Sequence, residues 1–214
     1  MIDIERFVCN PFQENCYVAS DETGDAVIVD CGAFYDAERR GVINYITQKK
    51  LTVRHLIATH GHVDHNYGNN TVYERLGACV EVHHRDEQLM NTLAAQSVAF
   101  CGYEPDYTFP PVGKYLCDTD TIAFGNHVLT VIPTPGHTPG SVVFFCDKER
   151  IVFSGDTLFK GGIGRTDFTL GCQDDIMTSL ENIVATLPQD TVVLPGHGER
   201  TTIEYERRHN PFLN

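Results

Sequence analysis

Short apolar runs broken by turn residues dominate the chain. IDIERFV (2–8), CYVAS (16–20) and AVIVD (26–30) are β-prone runs separated by Asn10, Pro11 and Gly24, which predicts three strands joined by turns. From Asp36 to Lys50 the period changes. Val42, Ile43 and Ile46 recur at helical spacing among polar residues, and Lys49 and Lys50 fall where a last turn favours cations. HLIAT (55–59) reads as a buried strand. Asn66 to Leu76 reads as a helix stopped by Gly77. CVEVH (79–83) is another strand, and Arg85 to Ala99 a second helical stretch.

Residues 101–113 are rich in Pro and Tyr and read as irregular. TIAF, HVLTVIP, SVVFFC and RIVFSG then follow as strands, a helix runs from Gln173 to Leu187, and TVVLP is a last strand. Many strands succeed one another with only short turns. The pattern suits an α/β fold of two packed sheets with helices outside better than a simple doubly wound sheet.

Four segments repeat one design, in which an apolar strand and a turn lead to a His or Asp. They are HLIATHGHVDH (55–65), LTVIPTPGH (129–137), IVFSGD (151–156) and VVLPGH (192–197). The first is the densest. His60, His62, Asp64 and His65 form H-x-H-x-D-H, and in an extended segment residues i and i+2 project to one side, so His60 and His62 can grip one cation. Imidazole and carboxylate suit Zn²⁺, and imidazole also suits iron. Asp64 and His65, one step further, point elsewhere if the chain turns into a helix there, so the segment does not close on a single tetrahedral ion. The reading is therefore two metals, completed by His137, Asp156 and His197. Singly, His137 or His197 would pass for an ordinary histidine and Asp156 for a helix cap. Beside the first segment they become one constellation. His55, His127 and His209 read as structural, and His83 and His84 stay unassigned.

Composition sharpens this picture. The formal charge of −13 over 214 residues argues against nucleic acid and anionic membranes as partners. No apolar run approaches a membrane span, and MIDIERFVCN has no apolar signal core. The length suits one domain, 1–214, with its own core. None of the 8 Cys forms CxxC, so they read as free thiols in a reducing cytoplasm.

THGHVDH, PTPGHTPGS, SGDTLF and PGHG together resemble the metallo-β-lactamase superfamily, in the family's order and across essentially the whole chain. The resemblance implies a four-layer αββα sandwich with a dinuclear site at one edge. It implies His60, His62 and His137 on the first metal, Asp64, His65 and His197 on the second, and Asp156 bridging. Zinc is the first expectation, with iron or manganese as alternatives. GGIGRTDFTLG (161–171) and the PGHGERTTIEYERRHNPFL ending look like the hydroxyacylglutathione hydrolase (glyoxalase II) group, in its short bacterial branch without a C-terminal helical domain. The implied activity is hydrolysis of a thioester such as S-lactoylglutathione, with Asp64 and Asp156 as catalytic residues. Arg165 and Lys160 are the candidates for binding an anionic substrate. Arg165 paired with Asp167 is the structural alternative. Two rivals share the fold. A mononuclear-iron persulfide dioxygenase would show a motif nearer PAHD than PGHG. A nuclease would carry a basic patch, which this acidic chain lacks. A binding module without catalysis would be expected to have lost ligands, and none is missing. Oligomeric state is not legible.

Overall fold

The computed structural model describes residues 1–213. Two six-stranded sheets lie face to face. The first contains β1 (Asp3–Cys9), β2 (Glu14–Ser20), β3 (Asp25–Val29), β4 (Thr52–Ile57), β5 (Val80–His83) and β6 (Lys114–Leu116), in that order. The second contains β7 (Thr121–Phe124), β8 (His127–Pro133), β9 (Val142–Cys146), β10 (Ile151–Gly155), β13 (Val192–Pro195) and β14 (Thr201–Thr202). Its order is β14-β13-β10-β9-β8-β7. A hairpin, β11 (Leu158–Phe159) and β12 (Gly162–Ile163), leaves the end of β10.

Side-chain alternation along the strands builds three cores. In β2 and β3, Cys16, Val18, Ala26 and Ile28 face outward, where α1 (Asp36–Lys49) and α2 (Asn69–Leu76) supply Val42, Ile46 and Val72. The intervening Tyr17, Ala19, Val27 and Val29 face inward and meet Leu129, Val131, Phe144 and Phe153 of the second sheet. Val143, Val152 and Val193, on that sheet's other face, pack against Ile176, Leu180 and Ile183 of α5 (Gln173–Thr186) and Ile203 of α6 (Ile203–His209). Strands buried on both faces explain why the runs are nearly all apolar. Each such side chain contributes about 1.5–3 kcal/mol of burial. The chain has the expected helix–sheet–sheet–helix layering.

Several boundaries differ from expectation. The stretch from Arg85 to Ala99 is not one helix. It divides into α3 (Glu87–Met90) and α4 (Leu93–Cys101), because Thr92 leaves helical geometry between them. α2 begins at Asn69 rather than Asn66, since residues 63–65 form their own tight turn; Gly77 caps it with φ +71° as predicted. Lys50 is not in the last turn of α1 but is its left-handed cap, φ 54°. The C-terminal tail holds α6, whose first backbone groups are capped by Thr202. No helix among the described residues is long and apolar enough to cross a membrane.

Candidate metal centre

The chain leaves β4, β8, β10 and β13 at the same edge of the sandwich and delivers His60, His137, Asp156 and His197 there. Backbone bonds clamp the two sheets at this edge. Val142 donates to Thr59 O at 2.9 Å and Asn15 to Gly196 O at 2.7 Å, while Gly196 donates to Gly155 O at 2.8 Å within the second sheet. Gly196 is required by space. A Cβ there would lie 2.4 Å from Asp156 Oδ1 and 2.7 Å from His65 Cε1.

Four of the five candidate histidines are oriented by what the inner nitrogen touches. His137 Nδ1 lies 2.7 Å from Arg165 O, and His197 Nδ1 lies 3.0 Å from Phe12 O. A carbonyl only accepts, so these nitrogens carry the hydrogen and each Nε2 presents a lone pair. His65 Nδ1 faces Asp30 Oδ2 at 3.1 Å, with the same result. Thr59 Oγ1 donates to Asp30 Oδ2, so it accepts from His60 Nδ1 at 3.1 Å and leaves His60 Nε2 as a lone pair.

Those lone pairs converge. His60, His62 and His137 form one set, with His62 Nδ1 2.9 Å from His137 Nε2. Asp64, His65 and His197 form a second set, with Asp64 Oδ2 3.4 Å from His197 Nε2 and 3.7 Å from His65 Nε2. Asp156 stands between the sets. Its Oδ2 is 3.5 Å from His137 Nε2 and 3.5 Å from His197 Nε2, and its Oδ1 is 3.4 Å from His65 Nε2. Ligands on one tetrahedral ion with bonds of about 2.0–2.1 Å stand about 3.3 Å apart, so the donor atoms have the separation a shared ion requires. His60 Nε2 and Asp156 Oδ1 are buried with no protein partner. Buried polar atoms are nearly always satisfied, so the donor set fits cations.

The electrostatics distinguish the two sets: burial opposes charge on His65 and His197, but Asp156 and Asp64 raise both, so a cation at their Nε2 atoms must displace a proton. Burial, and then the neighbouring histidines, push His60 well below its ordinary range and His62 down to about 3, so both rings stay neutral and able to ligate. Burial opposes ionisation of Asp156, but His65 and then His197 outweigh it and hold the carboxyl well below the usual carboxylate range. Asp64 is lowered in the same way, with His65 overcoming burial.

Residues 9–197 match the Metallo-beta-lactamase superfamily. The chain belongs to that family. It is 33% identical to hydroxyacylglutathione hydrolase GloC of Haemophilus influenzae, covering 100% of this chain and 99% of that one. Among solved structures it resembles the BLEG-1 B3 metallo-beta-lactamase (TM-score 0.90, 32% identity, 99% and 100% of the two chains). It also resembles TTHA1623, solved in a di-iron-bound form (TM-score 0.86, 31% identity, 98% and 100%). Mitochondrial persulfide dioxygenase of Bos taurus is more distant, 30% identical over 92% of this chain and 70% of that one. The fold is that of a metallo-hydrolase superfamily whose members bind divalent metals, and iron is within its range.

The substrate-binding expectations divide. Arg165 lines the cavity above the metal ligands, yet its Nε and Nη2 donate to Asp167 at 2.6 and 2.7 Å. Lys160 does not line that cavity. The hairpin places its Nζ 2.6 Å from Glu199 at the surface. His83 bonds Asp118 and His84 bonds Leu116 O, and neither lines the cavity.

Two supporting acids escaped the sequence reading. Asp30 accepts from Thr59 N and Oγ1 and faces His65. Asp86 accepts from Gly61 N, Gly140 N and Thr138 Oγ1, tying the first histidine loop to the His137 loop. Asp30 ends AVIVD, the same strand-then-acid design that marked Asp156, so a signal for it was present. Asp86 had none.

Proposed function

We propose that the protein is a dinuclear metal-dependent hydrolase of thioesters of the hydroxyacylglutathione kind. The observation that carries the reading is the pair of ligand sets with Asp156 between them: His60, His62 and His137 for one ion, Asp64, His65 and His197 for the other. Zinc is the first choice for both positions on the nitrogen-rich donor set, with iron or manganese next. When bound, such a pair supplies a deprotonated water at neutral pH and a positive charge against which a carbonyl polarises.

The chain's own residues supply the rest. Asp30, Arg165 O and Phe12 O lock three imidazoles in the ligating tautomer. Asp64 lines the cavity floor, where its carboxylate can orient an attacking water and accept its proton. Phe12, Phe100, Phe159 and Phe168 wall the cavity and limit bulk water. A thiol has a pKa of about 8.5, so its thiolate leaves without a strong general acid. The likeness to hydroxyacylglutathione hydrolase GloC supports a thioester over other acyl compounds. Eight free cysteines suit a reducing compartment such as the cytoplasm.

The test is metal content measured beside thioester hydrolysis. Two metals per chain and turnover of S-lactoylglutathione are expected. Full metal loading with no thioester cleaved overturns the proposal. One iron per chain with oxygen uptake on glutathione persulfide would replace it with a persulfide dioxygenase.

A further inference from the structure

The cavity above the ligands has a volume of about 530 Å³. Apart from the proposed metal ligands, Arg165 is the one ionisable side chain among the described residues that line it. Its guanidinium is held by both oxygens of Asp167 and lies 4.4 Å from the centre of the Phe168 ring. So placed, the guanidinium also packs against an aromatic ring of the cavity wall.

Phe168 is fixed from several sides. Its centroid lies 5.1 Å from His62, 5.9 Å from His137 and 5.7 Å from Phe100. Phe100 comes from α4 and is about half exposed, at 47%, although it is a large apolar side chain. A second cavity of about 330 Å³ lies against the same pair and is also bordered by His62 and His137. It adds Leu89 and Leu170 with neutral Gln88, Thr92, Gln96 and Thr169, and Asp167 is its one carboxylate. The Phe100–Phe168 pair thus stands between two lobes beside the first ligand set, one walled largely by aromatic rings and one of mixed polar and apolar lining.

We propose that this aromatic pair is the specificity wall for the acyl group, and that the preferred substrates are thioesters whose acyl chain carries an aromatic or bulky apolar substituent. The inference rests on the thioesterase reading above. The acyl group is the short, closed end of such a substrate, whereas the thiol carrier is long and must run out to solvent. The acyl end therefore occupies the space beside the ligands, where the walls are rings. A methyl group, as in a lactoyl ester, leaves that space largely unfilled. A phenyl group fills it and stacks edge-to-face or offset on Phe168 and Phe100.

S-mandeloylglutathione and S-lactoylglutathione share carrier and hydroxyl and differ by phenyl against methyl. With metal-replete protein, kcat/KM is expected to favour the mandeloyl ester by about tenfold or more. In the Phe100→Ala/Phe168→Ala double variant the ratio should fall toward one, because the loss falls on the mandeloyl ester and chiefly in KM. Metal content of the variant, measured in parallel, separates loss of the wall from loss of the ligands His62 and His137 that it touches. Equal or better turnover of the lactoyl ester by the unaltered protein overturns the proposal and leaves the thioesterase reading standing. So does a mandeloyl preference that survives the double substitution, or a variant in which both esters lose turnover in proportion. Failure to cleave either ester overturns both.

Discussion

The histidines at the sheet edge and those elsewhere share residue type and carboxylate company, yet they do opposite things. His127, inside the sandwich, places Nδ1 3.0 Å from Asp21 and Nε2 2.9 Å from Glu149. His83 pairs with Asp118, and His55 with Glu81 and Ala123 O. In each case the ring nitrogens meet oxygens or, for His83 Nδ1, the Arg85 N–H, and the polar requirement is met within the protein. At the edge, His62 faces His137 and His65 faces His197, nitrogen against nitrogen, while His60 Nε2 has no protein partner. Neutral lone pairs aimed at one another do not stabilise a fold unless a cation lies between them. What sets the candidate ligands apart from the other histidines is a ring nitrogen that faces another ring nitrogen or has no hydrogen-bond partner.

Removing a ligand tests that distinction most severely. His62→Ala is expected to lose metal from the first position and to lower thioester turnover by on the order of 10³-fold or more, read by metal analysis and kinetics on the same preparation. A variant that keeps full metal and activity would place His62 with the structural histidines. Asp30→Asn should act at one remove. It leaves all seven proposed ligands in place but weakens the acceptor that fixes His65 and Thr59, and metal affinity should drop by about 10–100-fold. Competition with a chelator reads this directly, and an unaltered affinity would make Asp30 a packing residue.

The smallest effect belongs to the far region. The hydrogen bond that His55 donates to Glu81 is the main influence raising the His55 pKa, against opposing burial. A group whose folded pKa is raised stabilises the fold fully below its unfolded pKa and loses that contribution as pH rises through the folded one. His55→Gln should therefore lower stability by about 0.5 kcal/mol near pH 6, a small figure because the pair is partly exposed, and by less near pH 9. Denaturant melts at the two pH values measure it. Metal content should not change, and a His55 variant that lost metal would dissolve the contrast between the two regions.

Much of the fold was legible because strands buried on both faces announce themselves as apolar blocks. Turn residues punctuate them at Asn10, Gly24 and Gly77. Boundaries failed where tertiary contacts overrode local pattern. The break between α3 and α4 occurs where Gln96 turns its amide to Gly61 O and Leu89 O, so this region serves the first histidine loop rather than continuing one helix. The hairpin that carries Lys160 away from the cavity depends on pairing Leu158 with Ile163, which has no strong sequence signature over two-residue strands. The aromatic walls were equally hidden, since Phe100 and Phe168 lie on different segments and become a pair only when α4 and the loop after β12 meet.

The sequence by itself determined the candidate ligand chemistry, H-x-H-x-D-H with three further strand-end candidates, and an apolar alternation that suits layered sheets. Those properties reside in residue type and short spacing. Only the tertiary structure decided which lone pairs face each other. The inner partners of His137, His197 and His65 are Arg165 O, Phe12 O and Asp30, each on a distant segment. Tautomer and aim are therefore set across the fold. The same holds for the cavity, whose apolar walls and paired Arg165 arise from contacts between segments that no local spacing can encode.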